Sequence, residues 1–312
     1  MRIAIIGPGI MPIPPTGWGA VESLIWDYAT ELKNLGHDVR IINTPNPSEI
    51  VNSVNSINPD FVHLQYDNLY FVMPHINCKN KAATSHYGYI DQAHRYGGYS
   101  QIFDGFVNSD FRIFCLSPEI LEIYRKAGVT ESRLELTPNG ARSDLFKYEE
   151  SPKYPNKSIY LAKITDRKKQ YLYQDFDSID FAGNIDDYRF NTERENYLGE
   201  WTKEHLYENL TNYSNLVLFS DGEAHPLVCC EALMAGLGLV ISKVCSANLD
   251  LDLPFITVIP DDKLEDRNYV ENMIKENREI SNRMRSDIRK YALDKFSWKS
   301  VIPKYIDKIN KK

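Results

Sequence analysis

Leu216-Val217-Leu218-Phe219-Ser220-Asp221-Gly222-Glu223-Ala224-His225-Pro226-Leu227-Val228-Cys229-Cys230-Glu231-Ala232-Leu233 is the stretch that decides the fold. Its apolar beginning, from Asn215 to Phe219, is short enough for a buried strand. The polar turn that follows holds Gly222 and Pro226, residues that interrupt regular structure. Glu231 to Ala235 then reads as part of an apolar helix, and Gly238 to Ser242 as a further strand. Strand, turn, helix and strand in succession build a parallel sheet, because parallel neighbours need a crossover between them.

The same alternation runs outward from this stretch. Arg2 to Ile6 is an apolar strand and Pro8 to Gly19 a loop rich in Pro and Gly. Leu24, Ile25, Tyr28, Ala29 and Leu32 then lie on one face of a helix over 22–35. Gly36 stops that helix, and Asp38 to Ile42 is the next strand. Further strands are expected at 61–64, 82–85 and 112–117, with a helix over 118–127. The pattern restarts with strands at 158–162 and 178–182. Between the halves, the polar stretch Lys147 to Lys157 contains Pro152 and Pro155 and has the composition of an interdomain linker. Residues 262–290 read as one long charged helix with Val270, Met273, Ile274 and Ile280 as its apolar stripe. The fold class expected is α/β, with two doubly wound domains.

Composition narrows the function. The chain has 312 residues, 43% hydrophobic and 25% charged, in the range of soluble globular proteins. Its formal net charge of -7, from 36 basic and 43 acidic residues, argues against a general nucleic-acid binder. No run approaches the roughly 20 apolar residues of a membrane span. Met1 to Gly7 reads as a buried strand rather than a signal peptide. Cys78, Cys115, Cys229, Cys230 and Cys245 are not spaced as a zinc site, and a cytoplasmic location with no metal is expected. Peripheral membrane contact stays open.

Open parallel sheets bind ligands outside the carboxyl ends of their strands, so the loops after Ile6, Ser85, Ala162, Ala182 and Phe219 matter most. The first carries Pro15-Thr16-Gly17-Trp18-Gly19-Ala20-Val21-Glu22 ahead of a helix. Gly17 and Gly19 permit close backbone approach to a ligand, or simply form a turn. Neither a dinucleotide fingerprint nor a P-loop is present. The loop Ala162-Lys163-Ile164-Thr165-Asp166-Arg167-Lys168 offers cations to a diphosphate, or is a solvated basic loop. Arg167, Lys168 and Lys169 are consecutive, so the ligand-binding member is not fixed by sequence. After Ala182 comes Gly183. Glu223 lies in a turn, and Glu231 about one turn inside the helix. Carboxylates accept pairs of sugar or ribose hydroxyls, although Glu231 has the alternative of pairing with a nearby Lys. The amides of Leu227 and Val228 open the helix and suit a phosphate. His86, in Thr84-Ser85-His86-Tyr87-Gly88, ends a strand and is either a structural or a functional imidazole.

Taken together these features resemble glycosyltransferase family 4, the retaining enzymes of GT-B architecture. The Glu-x7-Glu motif matches Glu223 and Glu231, with Ala232-Leu233-Met234-Ala235-Gly236 as continuation. The first loop resembles that of the family's avilamycin-transferase-like branch. Gly36-His37-Asp38-Val39, Pro138-Asn139-Gly140 with Phe146, and Phe296-Ser297-Trp298 fall where the family has its own segments. The sequence departs from it at Ala162-Lys163 and Lys168-Lys169, which stand for Gly-Arg and Lys-Gly. A lysine keeps the charge of arginine but not its planar fork.

The resemblance implies two Rossmann-like domains facing a central cleft, an acceptor domain over 1–150 and a nucleotide-sugar domain over 151–295. A C-terminal helix, 296–312, crosses back to the first domain. It implies transfer of a sugar from a nucleoside-diphosphate sugar, with a UDP-sugar ahead of a GDP-sugar, to a glycan, lipid-linked sugar or small-molecule hydroxyl. Glu231 would hold the ribose, and Glu223 the transferred sugar. Lys163 and Lys168 would stabilise the leaving diphosphate without a metal or other cofactor. His86 would line the sugar pocket, and Gly17, Gly19, Gly183, Leu227 and Val228 would approach the donor. The rival readings are a catalytically impaired nucleotide-sugar-binding protein and a GT-B-fold epimerase.

Overall fold

A computed structural model describes residues 1–16, 19–94 and 97–311. The chain divides into two units, Met1–Gly140 with Trp298–Lys312, and Ala141–Ser297.

In the first unit, β1 (Arg2–Ile6), β2 (Asp38–Ile42), β3 (Phe61–Leu64), β4 (Lys81–Ser85), β5 (Arg112–Cys115) and β6 (Leu134–Leu136) form one sheet. The strand order is β2-β1-β3-β4-β5-β6, and every pairing is parallel. Every residue of β3 and β4 is buried, which is why these strands read as continuous runs rather than alternating ones. The helices of this unit are α1 (Ala20–Asn34), α2 (Pro47–Ile57), α3 (Tyr99–Val107) and α4 (Pro118–Lys126). Because β2 lies on one side of β1 and β3 on the other, the order reverses at β1. The loops after β1 and β3 therefore flank a topological switch point.

The second unit orders its strands β11-β10-β9-β7-β8, again in parallel. They are β7 (Tyr154–Leu161), β8 (Ile179–Ala182), β9 (Tyr213–Leu218), β10 (Gly238–Ser242) and β11 (Ile256–Ile259). Its helices are α5 (Lys203–Asn209), α6 (Leu227–Met234), α7 (Arg267–Arg283) and α8 (Arg285–Phe296). Here the order reverses between β7 and β9.

Two expectations need correction. The 147–157 stretch does not lie at the division between units, which falls at Gly140 and Ala141. Its backbone is engaged inside the second unit: Lys147 N donates to Tyr207 O at 3.0 Å and Glu149 N to Thr211 Oγ1 at 3.0 Å. The long helix over 262–290 is two helices. The first starts only at Arg267, where the Asp266 side chain accepts from Tyr269 N at 3.1 Å. It ends at Met284, whose φ of -114° and ψ of 18° leave the helical region. Arg285 follows, with its buried guanidinium donating to Glu149 O, Tyr213 O and Thr211 O at 2.7–2.9 Å. Those tertiary bonds fix the break, and a periodicity argument does not contain them.

The last helix, α9 (Trp298–Ile309), belongs to the first unit and buries Trp298, Val301, Ile302, Tyr305 and Ile309. Trp298 meets Tyr28 of α1 edge-on at 4.6 Å. A Cβ on Gly140 would stand 2.7 Å from the Trp298 ring, so only glycine fits there. That gives the Pro-Asn-Gly segment a packing role.

Candidate functional site

The reversal between β7 and β9 sets two loops side by side at the carboxyl ends of those strands. The loop after β7 turns through Asp166–Lys168, and Lys168 Nζ stands 2.9 Å from Glu223 Oε1 in the loop after β9. Arg167 Nη1 donates to the same oxygen at 3.1 Å, to Ser220 Oγ at 2.8 Å and to the Gly222 carbonyl. Asp221 N closes the pairing by donating to Arg167 O at 3.0 Å. Lys169 Nζ, in turn, meets Asp221 Oδ1 at 2.7 Å. Burial pushes the Glu223 carboxyl up, but Lys168 and Arg167 outweigh it and hold the group below the usual carboxylate range. Glu223 is therefore ionised, with two cations on one of its oxygens.

Beside this cluster, α6 begins at Leu227 with Pro226 at its N-cap and no side chain capping it. The half-buried Leu227 and Val228 thus sit where a helix presents free N–H groups and the positive end of its dipole. Glu231 lies one turn further in and is 9% exposed. Its Oε1 stands 3.4 Å from Lys203 Nζ, so the pairing with a lysine is present.

Lys163 is not drawn into the Glu223 cluster. It is half exposed and pairs with Asp186 Oδ2 at 2.7 Å. The loops after β7 and β8 are joined by Ile164 N to Asn184 O and Asp186 N to Ile164 O, each 2.8 Å. Gly183 makes that contact possible: a Cβ there would lie 2.0 Å from Ala162 O. Its φ is 152°.

In the first unit, Gly19 is the N-cap of α1. A Cβ on it would meet Glu22 Oε2 at 2.6 Å, since the buried Glu22 carboxylate folds back over the helix start. Gly17 lies outside the described residues. His86 follows β4, with its backbone N–H donating to Asp67 Oδ2 at 2.9 Å and its ring Nε2 3.0 Å from Gln65 Oε1. Burial lowers its pKa to about 4, so the ring is neutral at neutral pH. Burial also raises Asp67 to about 7.

Sequence reasoning left Arg167 unassigned and did not single out Lys203, Gln65 or Asp67. For Arg167 the signal was its place in a basic triplet. Nothing local distinguishes Lys203, because its partnership with Glu231 is tertiary.

The five cysteines are free and buried. Burial lifts the Cys230 thiol and drops the neighbouring His225 to about 3, so this pair, 3.5 Å apart, is no activated nucleophile. Among the described residues no group of three or more His, Cys, Asp or Glu is placed to hold a metal. No helix among them is long and apolar enough to cross a membrane.

Neither known family models nor curated proteins match the sequence. Solved structures do match the fold. Anabaena HepE, in complex with UDP and glucose, superposes with a TM-score of 0.73 at 12% identity, covering 98% of each chain. Sucrose-phosphate synthase from Thermosynechococcus elongatus gives 0.73 at 16% identity, with 98% of each chain covered. WaaG, a glycosyltransferase involved in lipopolysaccharide biosynthesis, gives 0.71 at 16%, covering 99% of this chain and 100% of its own. The fold is that of the GT-B glycosyltransferases.

Proposed function

We propose that the protein is a glycosyltransferase that moves a sugar from a nucleoside-diphosphate sugar to a hydroxyl acceptor. The observation that carries this reading is the convergence of Lys168 and Arg167 on Glu223 at the β7/β9 switch point, beside the uncapped start of α6. An anionic diphosphate is the ligand class that paired cations and free helix amides suit. The matched fold of HepE was solved both with UDP and with UDP-glucose, which favours a uridine nucleotide over a guanosine one.

In this reading Lys168, with Arg167, stabilises charge growing on the departing diphosphate, the largest electrostatic demand of the reaction. The side chains supply that charge themselves, so transfer proceeds without a metal. Glu231 accepts from ribose hydroxyls, and Glu223 accepts from the sugar. Leu227 and Val228 give their amides to the phosphates, while Gly183 keeps the β7 and β8 loops close. Lys163 joins the phosphates once it leaves Asp186. Gly19 opens α1 toward the ligand, and His86 meets a sugar hydroxyl. Bond cleavage passes through an oxocarbenium-like state. Transfer with retention, of the family 4 type and the avilamycin-transferase-like branch, is the finer assignment that the Glu223–Glu231 spacing and the first loop support. The second unit takes the donor and the first the acceptor, a glycan, lipid-linked sugar or small molecule.

The test is a thermal-shift panel of nucleotide sugars. A UDP-sugar at about 100 times its Kd should stabilise the protein by about 2.7 kcal/mol. Equal melting temperatures with every nucleotide sugar would contradict the proposal.

A further inference from the structure

Five side chains of the first unit form a hydrogen-bonded network that runs from α9 to the loop after β4. Tyr305 Oη lies 2.9 Å from His63 Nδ1, and His63 Nε2 lies 2.7 Å from Thr84 Oγ1. Gln65 Nε2 stands 3.3 Å from His63 Nδ1, while its Oε1 stands 3.0 Å from His86 Nε2. His63 is 0% exposed, and Gln65, Thr84 and Tyr305 are buried with it. Burial keeps both imidazoles neutral, with pKa values lowered to about 3 for His63 and about 4 for His86. Each ring therefore carries one proton, and the network decides where it sits.

One arrangement gives the buried Tyr305 hydroxyl hydrogen its acceptor. Tyr305 donates its hydroxyl hydrogen to His63 Nδ1, which must then be a lone pair. His63 carries its proton on Nε2 and donates to Thr84. Gln65 turns its amide N–H toward the same Nδ1, sharing the one lone pair with Tyr305 at a longer 3.3 Å, and its carbonyl toward His86. The His86 Nε2 is then the donor to Gln65 Oε1, and its Nδ1 carries the ring's lone pair. With Tyr305 donating to Nδ1, the flipped amide would set the Gln65 carbonyl oxygen against that lone pair, or force the proton onto Nδ1. The latter would strand the buried Tyr305 hydrogen, and burying a donor without a partner carries its full desolvation cost.

We propose that Gln65, oriented by His63 and Tyr305, is a positioning residue that fixes His86 as its Nε2–H tautomer and presents Nδ1 to accept from a substrate hydroxyl. That the hydroxyl belongs to a sugar or acceptor rests on the proposed function; the tautomer does not. His86 is accordingly a hydrogen-bond acceptor in the reaction and not a proton donor to the leaving group.

Nitrogen-15 NMR of the histidine-labelled full chain tests this, with His86→Asn identifying the His86 signals. The wild type should show a protonated Nε2 and a bare Nδ1 on His86. Gln65→Leu and Tyr305→Phe should each convert this to a mixture of tautomers. A wild-type His86 protonated on Nδ1 would overturn the proposal, as would an unchanged tautomer in both variants. With a turned-over UDP-sugar, Gln65→Leu should lower kcat/KM about tenfold, the scale of a lost orienting partner. Gln65→Glu, whose carboxylate still accepts from Nε2–H, should recover part of it; equal loss in both variants would count against positioning. A wild type that turns over no nucleotide sugar yet shows the tautomer response contradicts the proposed function and leaves the relay standing.

Discussion

Glu223 shows how little a residue's own identity says about its state. Alone it is one carboxylate of a spaced pair, and an acid/base couple is an equally natural reading. Lys168 and Arg167 on its Oε1 hold it ionised, which suits a hydrogen-bond acceptor and not a proton donor. Gly183 is the opposite case, a residue whose identity is dictated by space alone. Gly183→Ala would place a methyl group 2.0 Å from Ala162 O at a φ that side chains rarely adopt. The expected result is a loss of about 2–4 kcal/mol in urea unfolding; a midpoint equal to wild type would contradict the packing described. Both glutamates and Gly183 were legible in the sequence. Their partners were not, because Arg167 and Glu223 are 56 positions apart and meet only through the strand order.

Elements were read best where burial is uniform. Strands β3, β4, β9 and β10 stood out because every residue in them is buried and they keep no polar alternation, whereas β11, with Thr257 and Val258 half-buried, was not read as a strand. The short β6, Leu134–Leu136, left too few residues for any period to register. The α2 start carried a signal that was passed over, Asn46 with Pro47, where Asn46 caps Ser48 and Glu49. The α7–α8 break was invisible because apolar periodicity continues across it while Arg285 is recruited by carbonyls far along the chain. The terminal α9 makes a sharper claim. Its buried side chains cover Tyr28 and His63, with Tyr305 at 4.8 Å and 5.6 Å from those rings. Five such side chains at roughly 1.5–3 kcal/mol each match the whole stability of an ordinary domain. Deleting residues 298–312 should therefore abolish hydrogen-exchange protection in β1 and β3 while sparing β7, β9 and β10. Wild-type protection in β1 and β3 would show that the unit folds without its last helix.

At the scale of the whole molecule, two parallel sheets carry the GT-B fold at 12–16% identity to the solved structures compared. What survives such divergence is strand order, and with it the adjacency of the loops after β7 and β9. The net charge of -7 gives no hint of the cation pair that Lys168 and Arg167 form there. Composition reports the sum of a chain's charges, whereas chemistry depends on which of them a fold brings together. In the proposed function, Lys168 and Arg167 stabilise a departing diphosphate. Release of nucleoside diphosphate from the best-stabilising UDP-sugar, in the presence of acceptor candidates or slowly to water alone, measures it directly. Lys168→Ala should reduce that rate by about 100-fold or more while its melting temperature stays near wild type. Release at the wild-type rate by Lys168→Ala would contradict the account.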